Sequence, residues 1–176
     1  MRANIQPIKM LIMATFFLTF SCQSKKPLET VENVDIDKYM GKWYEIATIP
    51  QKFQKGCHCT TAEYNLTKEG FVKVVNSCRK DSVNGPISRI EGKAFKTNDP
   101  AKLKVQFFWP FKGKYWIIDL ADDYSYAVVG HPNRKYLWIL SRKPVMDNDI
   151  YNSILESLKK QDYNINLLVK TDQNCN

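Results

Sequence analysis

The sequence predicts an all-β domain: an eight-stranded up-and-down antiparallel β-barrel with one C-terminal helix packed outside. Three observations predict it. From residue 41 onward, short alternating runs follow one another with turn signals between them, the spacing of a sandwich or barrel. No crossover of helix length separates these runs, so consecutive strands pair antiparallel. A single amphipathic segment follows the last run, and eight strands enclose just enough space for one small ligand.

The strands are expected near 42–50, 57–66, 71–79, 87–96, 102–109, 114–121, 124–130 and 135–142. Their turns have mechanisms. Lys68-Glu69-Gly70 supplies a glycine for a tight hairpin, and Asn84-Gly85-Pro86 and Asn98-Asp99-Pro100 break strands. Lys112-Gly113 and His131-Pro132-Asn133 close two more turns. Asp147 or Asn148 caps the helix, whose apolar stripe is Ile150, Ile154, Leu155 and Leu158. Lys159 and Lys160 suit the negative end of its dipole. Residues 165–169 read as a final short strand.

The chain has 176 residues, enough for one domain with a sizeable core. Its first 21 residues read as a signal peptide. Arg2 and Lys9 precede an apolar run from Met10 to Phe20, too short to span a bilayer. Ser21-Cys22 resembles the processing site of bacterial lipoproteins, although Thr19 and Phe20 depart from its commonest form. Cys22 is thus the expected lipid-attachment residue, carrying a diacylglyceryl thioether and an acylated amine. Several acyl chains hold a protein on a membrane where one does so marginally. Gln23, rather than Asp, after the cysteine resembles an outer-membrane address. The alternative is an ordinary signal peptide with Cys22 in a disulfide. Residues 22–34 are polar and read as a lipid-anchored tether, which leaves 35–176 as the folded domain.

Removing the signal removes Arg2 and Lys9 and no acid, leaving 24 basic against 18 acidic residues, a net charge of +6. Export and the lack of a basic run interleaved with aromatics argue against a nucleic-acid partner.

Gly41-x-Trp43 opens strand one, Asp123-Tyr124 lies between strands six and seven, and Arg142 ends strand eight. In order and spacing these three regions resemble those of the lipocalin family. The segments 41–47, 90–94 and 136–142 carry most of the match, which covers about residues 35 to 175 and is strongest to the bacterial outer-membrane lipoproteins and the apolipoprotein D-like members. Ala121-Asp122 departs from the family's middle region. The resemblance implies a barrel that binds and stores or transports small hydrophobic or amphipathic ligands, for envelope lipid maintenance, with no cofactor.

Strand alternation assigns faces. Trp43, Glu45, Ala47 and Ile49 form the expected inner set of strand one, with Tyr44 and Ile46 outward under the helix. Leu103, Val105 and Phe107 point inward on strand five. On strand six the charge of Asp119 favours Trp116, Ile118 and Leu120 as inner. Trp138, Leu140 and Arg142 share a face of strand eight, which brings Arg142 to the floor where its guanidinium stacks on Trp43. The resemblance adds Tyr64, Asn76, Phe107, Trp116 and Trp138 as pocket positions. Together with Trp43, Ala47 and Ile49 these are the candidate ligand contacts. The plain alternative is that they fill a solid core. Glu45, an inward carboxylate, needs a partner; a structural hydrogen bond is the simpler role.

In an up-and-down barrel alternate loops share an end. The loops at the open end carry Lys52, Lys55, Arg79, Lys80, Lys112, Lys114, Arg134 and Lys135 against Asp81, with the aromatic run 108–111 among them. A basic rim around an apolar cavity suits an amphiphile with an anionic head and an acyl tail, a fatty acid or lysophospholipid. The same rim suits a membrane surface or a second copy of the chain, making a homodimer possible. Scattered lysines that only confer solubility are the bland alternative.

Four cysteines remain besides Cys22: Cys57, Cys59, Cys78 and Cys175. An even number in an exported domain reads as two disulfides with three possible pairings. The family resemblance implies Cys59–Cys175 and Cys57–Cys78; Cys59–Cys78 across the Gly70 hairpin competes. Zinc at Cys57-His58-Cys59 is disfavoured, because His58 points away from the cysteines and export favours oxidation. No catalytic constellation is apparent. The alternatives to a binder are an isomerase-like enzyme of the same fold using Glu45 or Tyr64, and an envelope interaction protein that docks through its rim.

Overall fold

The computed structural model describes residues 26–175; the expected signal peptide and Cys22 lie outside the described residues. A short helix α1 (Ile36–Tyr39) leads into β1 (Gly41–Thr48), β2 (Cys57–Leu66), β3 (Val72–Lys80), β4 (Ile87–Phe95), β5 (Lys102–Phe108), β6 (Phe111–Leu120), β7 (Tyr126–Gly130) and β8 (Leu137–Ser141). Helix α2 (Asn148–Lys160) follows, then a two-residue strand β9 (Val169–Lys170). Neighbouring strands pair in sequence order and β1 pairs with both β8 and β2, which closes the barrel.

Each element has a local cause. Asp147 caps α2 by accepting from the amides of Asp149 and Ile150, and Ile154 and Leu158 bury its apolar stripe. Asp35 caps α1 in the same way. At four residues α1 is too short to write a helical period into the sequence. Residues 165–167 form a 3-10 turn rather than the start of the expected strand, since Asn164 caps them through the amide of Asn166.

Two apolar layers result. The inner one fills the lower barrel with Trp43, Tyr64, Val72, Val74, Ala94, Leu103, Ile117, Ala127, Val129 and Leu140, drawn from all eight strands, and Tyr39 of α1. The outer one lies between α2 and the wall and joins Ile154 and Leu158 to Ile46, Ala47, Ile118, Val128, Leu137 and Ile139. Fully burying a side chain of this kind contributes about 1.5–3 kcal/mol, so the helix is held by its stripe rather than by propensity.

Residues 26–34 do not form the free tether their composition suggests. Leu28 is buried in the outer layer, and Val31 and Val34 pack on the inner one. The amide of Val31 donates to the carbonyl of Ile117 at 3.1 Å. Three apolar residues spaced along a polar segment suffice to lay it against the barrel.

The C-terminal tail completes the wall. β1 and β2 pair only over Gly41–Tyr44 and Thr61–Tyr64. Beyond that they diverge, and β9 takes the vacated edge of β1 at Ala47 and Thr48. The amide of Thr171 donates to Ile46 at 3.0 Å, and that of Cys59 to Asp172 at 2.8 Å. Cys59 is bonded to Cys175 and Cys57 to Cys78. No thiolate among these four is left for a metal.

Candidate functional site

The barrel has a plugged end, a lumen and a mouth. At the plugged end Gly41 adopts φ +91°, a conformation open to glycine, and the chain turns into β1. Trp43 is then fully buried, and its indole N–H donates to the carbonyl of Tyr39 at 2.9 Å. The Arg142 guanidinium lies 3.7 Å from the centre of the Trp43 ring. It also donates to the carbonyls of Lys42 at 3.0 Å and Lys38 at 2.7 Å. One side chain thus ties α1, β1 and the end of β8 together.

Above this plate sits a cluster of phenols. The Tyr115 hydroxyl is 2.8 Å from that of Tyr39 and 2.9 Å from that of Tyr64. Burial pushes Tyr64 up to about 12 and carries Tyr39 and Tyr115 well above the ordinary phenol value. The three are neutral hydrogen-bonding groups that satisfy one another in an apolar floor.

Higher in the lumen the wall opens. Register places Asn76 opposite Ala62 and Ile90, two residues from Val74, and so on the inner face. Ile90 is 38% exposed although it belongs to that face. Phe107, Trp138 and Val105 pack on the inner layer yet are only partly buried. Phe107 lies over Gly92, where an added Cβ would stand 2.7 Å from the ring. The buried Oδ1 of Asn76 has no hydrogen-bond partner. A hollow of about 260 Å³ lies at the opposite end, among Val34, Ile36, Leu103 and residues 96–100.

Glu45 is 4% exposed and takes two hydrogen bonds, from Thr171 Oγ1 at 2.6 Å and Gln54 Nε2 at 2.7 Å. Gln54 accepts in turn from the Trp138 indole at 3.0 Å. Burial raises the carboxyl of Glu45 above its ordinary value, partly offset by the bonds from Thr171 and Gln54. Gln173 bridges the carbonyls of Glu45 and Thr60.

Several expected placements are corrected. Ala47 and Ile49 belong to the outer layer under α2, because β1 carries a bulge between Glu45 and Ala47. An extra residue reverses the faces beyond it. Trp116 and Ile118 likewise pack outward, with Lys102 Nζ 4.9 Å from the Trp116 ring centre. Tyr115 and Ile117 point inward instead. A second bulge between Ile117 and Asp119 restores Leu120 to the inner layer, so the charge of Asp119 carries no information about Tyr115. Finally, Arg134 is buried, donating to the carbonyls of Gln161, Pro132 and Lys26. It clamps a loop and is no rim cation.

The remaining rim residues stay at the mouth. Lys52, Lys55, Lys112, Lys114 and Lys135 are exposed, and Arg79 donates to Gly85 at 3.1 Å. Lys112 also lies over the Phe95 ring at 4.1 Å. Sequence reading missed Tyr39 and Tyr115. Tyr39 sits in a helix too short to see, and Tyr115 was assigned to the wrong face.

A closed eight-stranded barrel, plugged at one end and flanked by one helix, defines a cup-shaped all-β fold. Residues 34–173 match the lipocalin-like domain model, and the chain belongs to the lipocalin family. It is 39% identical to temperature-induced lipocalin-1 of Arabidopsis thaliana over 85% of this chain and 84% of that one. It is 36% identical to outer membrane lipoprotein Blc of Citrobacter freundii, covering 97% of this chain and 98% of that protein. Among solved structures, insecticyanin from Manduca sexta superposes with a TM-score of 0.68 at 22% identity, over 85% of this chain and 86% of that one, a likeness of fold.

Proposed function

We propose that this protein binds small hydrophobic or amphipathic molecules in the barrel lumen, with fatty acids or lysophospholipids as the ligand class. The observation that carries the reading is the graded lumen. Trp43, Val72, Val74 and Leu140 close it below, whereas Ile90, Phe107 and Trp138 line it above and remain partly accessible. An acyl chain entering this space loses its water contact at about 0.8 kcal/mol per methylene. Asn76 offers a polar atom on the same wall, and the exposed lysines of the rim attract an anionic head. The bond that the Trp138 indole donates to Gln54 fixes its orientation.

The reading includes a cellular place. Cys22 is the lipid-attachment residue after removal of residues 1–21, and the protein sits at the outer membrane, holding or carrying lipid for envelope maintenance. Likeness to an outer membrane lipoprotein over nearly the whole chain supports this.

Native mass spectrometry of protein purified without detergent tests the binding, followed by titration of tryptophan emission with lysophosphatidylcholine and oleate. Co-purified lipid and saturable quenching are expected, with quenching reduced several-fold in Ile90→Asp. A lumen that takes up neither probe at any concentration below micelle formation would refute the reading.

A further inference from the structure

The mouth carries apolar bulk that the barrel does not use. Phe108, Trp109 and Phe111 at the β5–β6 tip are 68%, 86% and 77% exposed, and Phe53 of the first loop is 69% exposed. Four large aromatics left in the open on one end mark a contact surface. Phenylalanine and tryptophan are side chains that partition into the headgroup region of a bilayer. Exposed lysines flank them: Lys52 and Lys55 around Phe53, Lys112 and Lys114 beside Phe111. Asp81 is the one acid in the four mouth loops.

The path of the N-terminal segment indicates which surface they meet. Arg134 holds the carbonyl of Lys26 at 2.6 Å. Arg134 belongs to the β7–β8 loop, and Gln51 of the first loop donates to Lys135 of that loop at 2.9 Å. The described chain therefore begins on the mouth side. Cys22 lies four residues earlier, and four extended residues reach at most about 14 Å. An anchor at Cys22 holds the bilayer within that distance of the mouth side.

We propose that the mouth loops dock on the same lipid surface that holds Cys22, the aromatic tips entering the headgroup boundary and the lysines meeting anionic headgroups. The orientation rests on the reading of Cys22 as lipidated. A second copy of the chain fits less well, because a two-fold contact would set lysines against lysines. In the docked geometry the lumen opens toward the bilayer, and an amphiphile passes between them along a short path.

The test uses the chain from residue 22 onward carrying Cys22→Ser, which keeps every element of the barrel and has no anchor. It is co-sedimented with vesicles of phosphatidylcholine alone and of phosphatidylcholine with phosphatidylglycerol. Binding to the anionic vesicles is expected. Trp109→Ser with Phe111→Ser lowers it at least about tenfold on loss of two buried aromatics. Lys112→Ser with Lys114→Ser lowers it about tenfold on anionic vesicles only. Circular dichroism checks that each variant is folded. Vesicle binding that is absent, or unchanged in the aromatic variant, overturns the proposal. So does self-association in solution that the aromatic variant abolishes, which would assign the surface to a second copy. Mass spectrometry of the full-length protein extracted from membranes reads acylation of Cys22 separately. An unmodified cysteine with intact vesicle binding removes the anchor reading and leaves docking standing.

Discussion

Thr171 donates a hydrogen bond of 2.6 Å to the buried carboxylate of Glu45, joining the C-terminal tail to the first strand where that strand has parted from its neighbour. Glu45 sits between two donors, Thr171 and Gln54, in a site whose burial raises its proton affinity.

The pH dependence of stability follows with a definite sign. The folded state holds the Glu45 proton more tightly than the unfolded chain, so ionisation favours unfolding. This contribution is most favourable below the unfolded value and is lost as pH rises through the raised folded value. Urea midpoints of the protein and of Glu45→Gln, measured from acidic to neutral pH, are expected to converge or cross as pH rises. Parallel curves would show that Glu45 does not titrate in this window.

Arg142 and Trp43 act as a unit at the plugged end. Arg142→Ala removes two hydrogen bonds from a charged donor and a ring contact, and is expected to cost about 2–3 kcal/mol. Trp43→Ala is expected to cost about 3–5 kcal/mol. Arg142→Lys recovers less than half of the arginine loss, since an ammonium does not reach two carbonyls and a ring face at once. The double variant should fall short of the sum of the singles in denaturant titrations.

The two disulfides differ in what they close. Cys59–Cys175 spans 116 residues and Cys57–Cys78 spans 21. Chain entropy makes the longer loop worth roughly 1–2 kcal/mol more. Cys59→Ser with Cys175→Ser is therefore expected to lower the thermal midpoint more than Cys57→Ser with Cys78→Ser. Hydrogen exchange at the amides of Cys59 and Thr171 should quicken only in the first pair.

Gly92→Ala tests the lumen wall. Its new methyl would stand 2.7 Å from both the Phe107 ring and the carbonyl of Gln106, so Phe107 must move. A cost of about 1–3 kcal/mol is expected, together with weaker ligand-induced quenching as the ring shifts.

The sequence made the barrel legible because its strands alternate and its turns carry glycine, proline and asparagine where chain reversal needs them. Trp138 packs on the inner layer with Leu140, as alternation along β8 expects, and Phe107 does so although β5 carries a bulge between Val105 and Phe108. Alternation fails at Ala47, Ile49, Trp116 and Ile118. Each lies at a bulge or on its far side from the residues that set its neighbours' faces. A bulge inserts one residue and leaves no compositional mark, yet it exchanges inside for outside. Arg134 misled for another reason. Its charge suggests solvent, whereas the carbonyls of Gln161 and Lys26, from distant segments, and of Pro132, in its own loop, hold it buried, and tertiary hydrogen bonds are invisible to local reading.

The tail wedged between β1 and β2 makes completion of the wall depend on a segment remote from it in sequence. The residues that fill the slit lie far along the chain from the strand they complete, Thr171 standing 126 residues beyond Glu45. Until they arrive the cup has a gap beside its first strand, and a chain cut short of Thr171 keeps that gap for good. Closure of the wall is thereby tied to a tail that is present and held by the Cys59–Cys175 bond.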